Sequence, residues 1–306
     1  MNDIYCTYFD HNYLSRASVM IESLRRFDPQ TPIYVLALSD LCAEILRKLS
    51  LPKVEIIPLA KLEGAYEELT RVKPQRSRVE YYYTLSPFLP SYLFAQTSAD
   101  RITYIDGDLY FYTSPRPLLD SLVGVSVAIT PHRFSFEYRN HLQYGRFNVG
   151  WITYTRCVEA LDCLNAYRAD CAEWCFERLE DNRYGDQKYL DAWPDRYPLL
   201  KVVEHKGFNL SFWNVNSYML RMKDGHPMID NDPLVFYHFS SIKLLPNGDV
   251  LVPARPRPGR SAAVLLDHII APYTAALKEK IRLLHDRFPA LAQAETDIRQ
   301  SPAPTS

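Results

Sequence analysis

The sequence lacks both a long apolar run and an excess of charge of one sign. No stretch approaches the roughly 18 consecutive apolar residues of a membrane-spanning helix. The N-terminal residues MNDIYCTYFD have neither the basic nor the apolar region of a signal peptide. The formal net charge is −1, whereas nucleic-acid-binding proteins normally carry a basic excess. We therefore predict a cytoplasmic protein with no nucleic-acid partner.

Cysteine is scarce as well, and its spacing does not indicate a metal site. The 306 residues include six cysteines, which do not suggest a disulfide framework in a chain this long. There is no Cys-x-x-Cys pair, and the histidines are not placed around the cysteines in a zinc-binding pattern. Reduced core thiols are the expectation. With 47% hydrophobic and 23% charged residues, the composition is that of a globular protein with a sizeable core.

Strand-like and helix-like patterns alternate from the N-terminus. DIYCTYF, TPIYVLALS and KVEIIPL are typical of buried strands, and SRASVMIESLRRFD and LCAEILRKLS between them have helical apolar spacing. This alternation predicts a parallel sheet with right-handed crossovers. Further strands are predicted in ITYIDGD, VSVAITPHRF, FNVGWITYT, LLKVVEH and LVFYHFSS, and further helices in EYYYTLSPFLPSYLFAQ (broken by its prolines) and VEALDCLNAYRADCAEWCFERLE.

The composition changes near residue 250, where a segment rich in proline and arginine, PARPRPGRS, has the character of a linker. The residues after it predict a helical hairpin or a helix kinked at Pro272. The predicted division is a domain over 1–250, a linker over 251–261, a helical segment over 262–290 and a disordered tail over 291–306.

The predicted C-terminal helical segment has a basic face formed by Lys278, Lys280 and Arg282. Such a face could contact an anionic membrane surface, which would place the protein at the inner face of the membrane. The alternative is the solvated face of a packed helix, which is favoured because charged stripes opposite apolar ones are normal.

Two carboxylates, Asp106 and Asp108, interrupt the apolar run ITYIDGDLYFY. A buried carboxylate without a partner costs several kcal/mol, so each acid needs a cation, donors or water. Gly107 between them permits a close approach of a ligand. With His238 and a diphosphate, the two acids would form an oxygen-rich site for Mn²⁺ or Mg²⁺. Taken alone, an Asp-x-Asp triplet can arise by chance and a single histidine is more often a core residue.

Three polar clusters follow predicted strands: FDHNY after the first, DGD after the fourth and HFSS after the last. In open α/β sheets, ligands bind beyond the carboxyl ends of the strands. The clusters therefore predict a single active site at that edge.

Ordered motifs over roughly residues 1–245 resemble the GT-A-fold nucleotide-sugar glycosyltransferases, most closely glycosyltransferase family 8, the retaining type that includes glycogenin and bacterial lipooligosaccharide galactosyltransferases. The motifs are ITYIDGDLYFYTSPRPLLD, FNVGWITYT, YGDQKYLDAW and FYHFSSIK. The resemblance implies a Rossmann-like α/β fold with a mixed, mainly parallel sheet flanked by helices, here with a C-terminal helical extension. It also implies sugar transfer, with retention, from a nucleoside-diphosphate donor to a hydroxyl of a glycan, lipid-linked saccharide or protein.

The resemblance implies a role for each matching residue. Asp106, Asp108 and His238 are implied to bind Mn²⁺ or Mg²⁺, and Lys243 is implied to neutralise the diphosphate. The residues implied at the donor sugar are Asn148, Asp186 and Gln187, and those implied at the base and ribose are Thr7, Tyr8, Asn12 and Tyr13. Structural alternatives remain open: Asn148 as a turn residue, Asp186 as a helix N-cap and Tyr8 as core.

Two motifs depart from the family pattern. The family usually has an arginine on the helix before the Asp-x-Asp strand, but YYYTLSPFLPSYLF has no basic residue. Arg76 and Arg78, just upstream, could substitute, with Arg78 the candidate at the donor, or could form a solvated basic face. After His238 the family's Gly-x-x-Lys-Pro-Trp is replaced by SSIKLLP, so the loop at the diphosphate could differ.

HKGFNLSFWNVNSY, His205–Tyr218, is crowded with asparagine and aromatic residues. Sugars stack on aromatic rings and bond to amides, so this segment is a candidate acceptor wall, although turn chemistry around a core Trp213 explains it almost as well. Other functions remain possible. They are an inverting GT-A transferase, a nucleotidyltransferase (disfavoured because CTYFDHNYLSRAS has no glycine) and a non-catalytic nucleotide-sugar-binding module (disfavoured by the intact Asp106, Asp108 and His238).

Overall fold

A computed structural model describes residues 1–245 and 249–300. Within these residues, strands and helices alternate from the N-terminus as the sequence predicts. The strands are β1 (Asp3–Phe9), β2 (Ile33–Ala37), β3 (Val54–Pro58), β4 (Arg101–Ile105), β5 (Leu109–Phe111), β6 (Val127–Pro131), β7 (Phe147–Thr155), β8 (Lys201–Val202), β9 (Leu220–Lys223), β10 (His226–Ile229), β11 (Asp232–Pro233), β12 (Phe236–His238), β13 (Lys243–Leu244) and β14 (Val250–Leu251).

The helices surround these strands. They are α1 (Leu14–Arg25), α2 (Asp40–Leu49), α3 (Leu59–Ala65), α4 (Glu67–Val72), α5 (Arg78–Thr84), α6 (Phe88–Gln96), α7 (Arg116–Asp120), α8 (Val158–Glu173), α9 (Trp193–Arg196), α10 (Arg260–Ala263), α11 (Ala271–Arg287) and α12 (Pro289–Gln300). None of the helices in the described part of the chain has both the length and the apolar character needed to cross a bilayer.

The central sheet has seven strands in the order β3-β2-β1-β4-β7-β6-β8. Strands β3, β2, β1 and β4 are parallel, β7 runs antiparallel to both β4 and β6, and β8 is parallel to β6. The mixed, mainly parallel sheet is therefore confirmed. A separate pair, β5 and β12, is antiparallel and joins the two segments that carry Asp108 and His238.

Both faces of the sheet are buried. Successive side chains of a strand point to opposite faces, so neighbouring apolar residues pack into different clusters. In β1, Ile4 and Cys6 belong to one hydrophobic cluster, while Tyr5 and Phe9 belong to another on the opposite face. Helices therefore cover the sheet on both sides, and the polar ends of the strands are left for a site.

The helix predicted over EYYYTLSPFLPSYLFAQ forms as two helices, α5 and α6, on either side of Pro87. A capping box between Ser77 and Glu80 begins α5. Pro87 stands at the N-cap of α6 and Pro90 lies in its first turn, where a proline removes no needed hydrogen bond. The break points the C-terminal end of α5 at the carboxyl edge of the sheet.

The C-terminal segment forms one helical run rather than a hairpin. A π-helical stretch, Val264–Ile270, connects α10 to α11 immediately before Pro272, and the wider π turn accommodates a residue that cannot join a regular α-helical ladder. The disordered tail predicted from residue 291 is helical up to Gln300, because Leu291 is fully buried. Residues 301–306 of that predicted tail lie outside the described residues.

The predicted basic face on α11 is balanced by acids. Lys278 Nζ lies 2.8 Å from an Asp249 carboxylate oxygen, Lys280 pairs with Glu22, and Arg282 pairs with two acids of its own helix. Because each cation already has an acidic partner, the solvated-face alternative is favoured over membrane contact.

Candidate active site

The predicted polar clusters meet in a cleft of about 350 Å³ at the carboxyl edge of the parallel strands. The cleft is formed by residues that follow β1, β4 and β12, by the start of β7, and by the C-terminal end of α5. Its lining residues are Tyr8, Phe9, Asp10, Tyr13, Leu38, Val79, Tyr82, Tyr83, Tyr104, Asp106, Gly107, Asp108, Asn148, Val149, Asp186, Gln187, His238 and Ser240.

Asp106, Asp108 and His238 converge on one point. His238 Nε2 is 3.1 Å from Asp108 Oδ1 and 3.6 Å from Asp106 Oδ2. One ligand atom from each of the three residues lies within 4.8 Å of the others. They come together because Asp106 and Asp108 flank the turn between β4 and β5, and because His238 pairs with Leu109 across the β5–β12 ladder. Two carboxylates and an imidazole are a donor set for a divalent cation.

A hydrogen bond on its far side orients the His238 ring. Nδ1 lies 3.2 Å from Asn209 Oδ1, and the Asn209 amide nitrogen donates to the Pro131 carbonyl at 3.1 Å. That second bond turns the amide oxygen toward the ring, so Nδ1 carries the proton and donates. Nε2 then faces the two acids: it donates to Asp108 when the ring is protonated, and in the neutral ring it offers its lone pair, as in metal-binding histidines.

Electrostatics in the triad also favour a cation. Burial raises the pKa of Asp106 to about 6. Burial alone would raise the pKa of Asp108 too, but the charge and hydrogen bond of His238 outweigh it and hold that pKa below its usual value. Burial would lower the pKa of His238, yet the neighbouring Asp108 raises it. Two acids at ion-pair distance from one imidazole favour positive charge among the three groups, from a protonated ring or from a bound cation.

Further contacts fix Asp106 in place. The Tyr104 hydroxyl donates to Asp106 Oδ1 at 2.7 Å, and the Asp106 amide donates to the Gly150 carbonyl at 3.1 Å. Gly150 lies in an irregularity of β7, where the register with β6 shifts. A Cβ on Gly150 would lie 2.8 Å from His238 Cε1. The backbone of β7 therefore forms the floor of the triad.

The opposite wall holds Asp186, which is buried and accepts a hydrogen bond from Ser86 Oγ. Ser86 Oγ also lies 3.1 Å from the Tyr8 hydroxyl. Burial, with a smaller contribution from Asp106, raises the pKa of Asp186 to about 7. Asp186 stands at the N-cap of a 3-10 segment, Gln187–Ala192, but its side chain makes no capping hydrogen bond. The N-cap alternative is therefore not supported.

Asn148 and Gln187 complete that wall, and each has a structural contact. Asn148 Oδ1 accepts from the Gly150 amide at 2.9 Å, and its Nδ2 is 3.2 Å from His132 Nε2. Gln187 Nε2 donates to the Tyr144 carbonyl at 2.9 Å. Gln187 therefore lines the cleft and also holds the end of the 3-10 segment Phe136–Tyr144.

The residues predicted at the base and ribose separate into two groups. Tyr8 and Tyr13 line the cleft, and Tyr8 packs against Tyr104 with ring centroids 5.3 Å apart. Thr7 is fully buried and is not a lining residue. Asn12 is not a lining residue either, because its amide nitrogen donates to Asp10 Oδ2 at 3.0 Å in the turn after β1.

The predicted cations lie outside the cleft lining. Arg78 is exposed at the start of α5, and Lys243 is exposed on the short strand β13. Arg76 donates to the Glu173 carbonyl at 3.2 Å and lies 3.8 Å from the centre of the Phe176 ring, so it is occupied elsewhere. Within the described residues, no lysine or arginine lines the cleft.

The predicted acceptor wall is wrong for most of its residues. Phe208, Asn209, Trp213 and Asn214 are buried, and the two asparagines bond to main-chain groups of the loops around them. Packing and turn chemistry explain this segment, as the alternative stated.

Several site residues gave little signal in the sequence. Asp10 accepts from Asn12 and from the Tyr82 hydroxyl at 3.0 Å, and Ser86 and Asn209 support Asp186 and His238. The partners Tyr82, Asp186 and His238 lie far away in the chain from Asp10, Ser86 and Asn209, so spacing could not reveal these contacts. Tyr82 and Tyr83 of the run EYYYTLS also line the cleft.

The fold is that of the GT-A glycosyltransferases. The structure of the galactosyltransferase LgtC in complex with donor and acceptor sugar analogues is similar with a TM-score of 0.55, at 15% identity, over 90% of this chain and 95% of that chain. The predicted GT-A fold is thereby confirmed. At this identity the likeness establishes the fold and leaves the activity to be argued from the site.

No model of a known protein family matches the chain. Two proteins of Bacillus subtilis (strain 168) are similar over most of their length. The uncharacterized protein YfnF is 32% identical over 254 residues, 80% of this chain and 83% of YfnF. The uncharacterized protein YfnD is 30% identical over 292 residues, 94% of this chain and 93% of YfnD. The chain belongs to the family of YfnF and YfnD.

Proposed function

We propose that this protein is a metal-dependent glycosyltransferase that moves a sugar from a nucleoside-diphosphate donor to a hydroxyl group of an acceptor. The observation that carries the proposal is the cation site of Asp106, Asp108 and His238, which shares one cleft with Asp186 and Gln187. The GT-A fold supports it, since LgtC was crystallised with donor and acceptor sugar analogues.

The donor set suits Mn²⁺ or Mg²⁺, which prefer carboxylate oxygens and accept imidazole. Asp106, Asp108 and the Nε2 atom of His238 would hold the ion. When bound, it would supply a Lewis acid that offsets the negative charge of the donor diphosphate. Asn209 keeps the His238 ring in the tautomer that this binding needs.

The cleft walls suggest an orientation for the donor. Tyr8 and Tyr13 offer aromatic rings at the end of β1 for the base and ribose. Asn148, Asp186 and Gln187 offer amide and carboxyl groups for the sugar hydroxyls on the other wall. A nucleotide sugar bound this way would place its diphosphate at the triad, between the two walls.

We further propose retention of the anomeric configuration, with a glycan, a lipid-linked saccharide or a protein as the acceptor. In a retaining transfer the departing diphosphate can take the acceptor's proton, so the protein need not supply a strong base. Asp10 is already held by Asn12 and Tyr82, which supports this. The anomeric coupling constant of the product, measured by NMR, would show retention; an inverted product would contradict the stereochemistry alone.

The first prediction tests the metal site with Asp108→Ala. The loss of one carboxylate from a three-residue site should abolish Mn²⁺-dependent binding of nucleoside diphosphates, because the remaining ligands cannot fix the ion. Isothermal titration of Mn²⁺ plus UDP and Mn²⁺ plus GDP would measure this, together with donor hydrolysis. Asp162→Ala, on the exposed surface of α8, is the matched control and should bind as the parent does. Undiminished binding in Asp108→Ala would refute the proposed site.

A further inference from the structure

The cleft has a surplus of negative charge. Even with Asp186 protonated, its lining includes Asp10, Asp106 and Asp108 and, within the described residues, no lysine or arginine. A donor would add the negative charge of its diphosphate to these acids, and a divalent ion offsets only two charges. Charge balance at the reacting end of the donor therefore requires a further cation close to the triad.

Arg16 lies at the edge of the cleft, in the first turn of α1. Its guanidinium carbon is 4.5 Å from the centre of the Tyr13 ring, and Tyr13 lines the cleft. Its Nη2 is 3.4 Å from the carbonyl oxygen of Ile242, four residues after His238. Arg16 therefore sits where the turn after β1 meets the segment that follows the metal ligand.

Arg16 has unused hydrogen-bonding capacity. No carboxylate of residues 1–245 or 249–300 lies within ion-pair distance of its guanidinium. Among the described residues its guanidinium makes two hydrogen bonds, to the carbonyl oxygens of Asn12 and Ile242, both 3.4 Å long, and its buried Nε has no partner there. Bonds this long are weak, since the usual N–H···O distance is about 2.9 Å. A guanidinium offers five donors in a planar fork that matches phosphate oxygens.

We infer that Arg16 binds the diphosphate of the donor and neutralises it as it leaves. This inference rests on the proposed function and adds a residue to it. During transfer, the bond from the anomeric carbon to the diphosphate oxygen breaks and its electron pair stays with the diphosphate. The acceptor oxygen bonds to the anomeric carbon, and its proton passes to the diphosphate. Arg16 keeps its own proton and stabilises the added charge.

Arg16→Gln and Arg16→Lys test the inference by titration with Mn²⁺ alone and with Mn²⁺ plus inorganic pyrophosphate, a probe that does not depend on the base or sugar. Arg16→Gln should weaken pyrophosphate binding about tenfold or more, the scale of a lost charge-assisted hydrogen bond. It should leave Mn²⁺ affinity unchanged, because Arg16 is not one of the three residues proposed to hold the ion. Arg16→Lys should recover part of the pyrophosphate affinity.

Arg26→Gln is the matched control. Arg26 directly follows the last residue of α1, and its guanidinium also lies over an aromatic ring, 5.0 Å from the centre of Tyr110. It should bind both probes as the parent does. Parental pyrophosphate affinity in Arg16→Gln would overturn the inference, and so would a parallel loss of Mn²⁺ and pyrophosphate affinity, which indicates a structural role in holding Ile242. If the parent itself binds neither probe, the proposed function fails instead, and the inference with it.

Discussion

Gly150 shows how a missing side chain makes room for the cation site. A Cβ there would lie 2.8 Å from His238 Cε1 and 3.0 Å from Asp106 Oδ2, closer than carbon atoms normally approach. A side chain at this position would therefore displace two of the three proposed metal ligands.

We predict that Gly150→Ala weakens Mn²⁺ binding by about tenfold or more, the equivalent of roughly 1.4 kcal/mol, because the ligands must move apart to admit the methyl group. Titration with Mn²⁺ would measure this. Gly64→Ala is the control: nothing lies within 4 Å of a Cβ at Gly64 in α3, so it should bind normally and gain slightly in stability. Normal Mn²⁺ affinity in Gly150→Ala would contradict the geometry of the triad.

The free energy of unfolding should depend on pH through Asp186, because its pKa differs between the folded and the unfolded protein. Its pKa in the folded protein is raised to about 7 by burial, whereas an unfolded chain gives about 3.9. The folded state thus holds the proton more tightly, so this contribution to stability is fully present below pH 3.9 and is lost as the pH rises toward 7.

In metal-free buffer, Asp186→Asn should therefore lose less stability than the parent between pH 5 and pH 8. The asparagine can still accept from Ser86 but has no charge to bury. The difference should be at most about 3 kcal/mol, visible in melting curves at the two pH values. Asp162→Asn, an exposed change, should follow the parent. Parallel curves for Asp186→Asn and the parent would show that Asp186 is not held protonated.

Residues that stand out from their surroundings could be predicted from the sequence, and residues defined by distant partners could not. Asp106 and Asp108 were recognisable as acids in an apolar strand. Asn209 was taken for part of an acceptor wall, because its bond to His238 exists only after β12 pairs with β5. Ser86 was not recognised, since its partner Asp186 lies a hundred residues away.

At the scale of elements, the apolar patterns located the strands but not their direction. FNVGWITYT predicted a buried strand, and β7 covers those residues, yet it runs antiparallel to β4. A strand buried on both faces has the same sequence pattern in either orientation. The register shift between β6 and β7 beside Gly150 was likewise not recognisable in the sequence, apart from the glycine itself.

A buried ion pair joins the first and fourth strands of the sheet. Asp3 pairs with Arg101 across β1 and β4, and Arg101 donates to both carboxylate oxygens, at 3.0 Å and 2.6 Å. Arg116 from α7 donates to the same acid at 2.7 Å. The side chains of Asp3 and Arg101 are 7% and 3% exposed, so neither can turn to water if its partner is removed.

Asp3→Asn should therefore destabilise the protein by about 3 kcal/mol, since it leaves a buried guanidinium without its counter-charge. Urea unfolding would measure the loss. Glu44→Gln is the control, because Glu44 pairs with Lys48 on the exposed surface of α2, and its melting temperature should match that of the parent. An Asp3→Asn protein as stable as the parent would mean that Arg101 finds another partner.

At the scale of the whole molecule, the C-terminal helices are part of the same body as the sheet. The Tyr273 ring of α11 stacks on Phe239 with centroids 3.6 Å apart, and Phe239 directly follows His238, one of the proposed metal ligands. Leu265 and Leu277 are buried in a cluster that they share with Tyr237 of β12 and with Phe239. The sequence predicted a separate helical segment, because the composition changes at the Pro- and Arg-rich stretch. Composition does not reveal whether such a segment packs against the preceding domain.

We therefore predict that the chain unfolds in one cooperative transition. The four tryptophans, at 151, 174, 193 and 213, all precede the C-terminal helices, so their fluorescence reports on the sheet domain, while far-UV circular dichroism also reports on α11. The two probes should give the same midpoint in urea, as two-state unfolding requires.

Tyr273→Ala should lower both midpoints together, because the lost stacking lies in the shared cluster, and it should weaken Mn²⁺ binding through Phe239 and His238. Separate midpoints, or a Tyr273→Ala protein in which only the dichroism transition moves, would show that the C-terminal helices fold independently of the site.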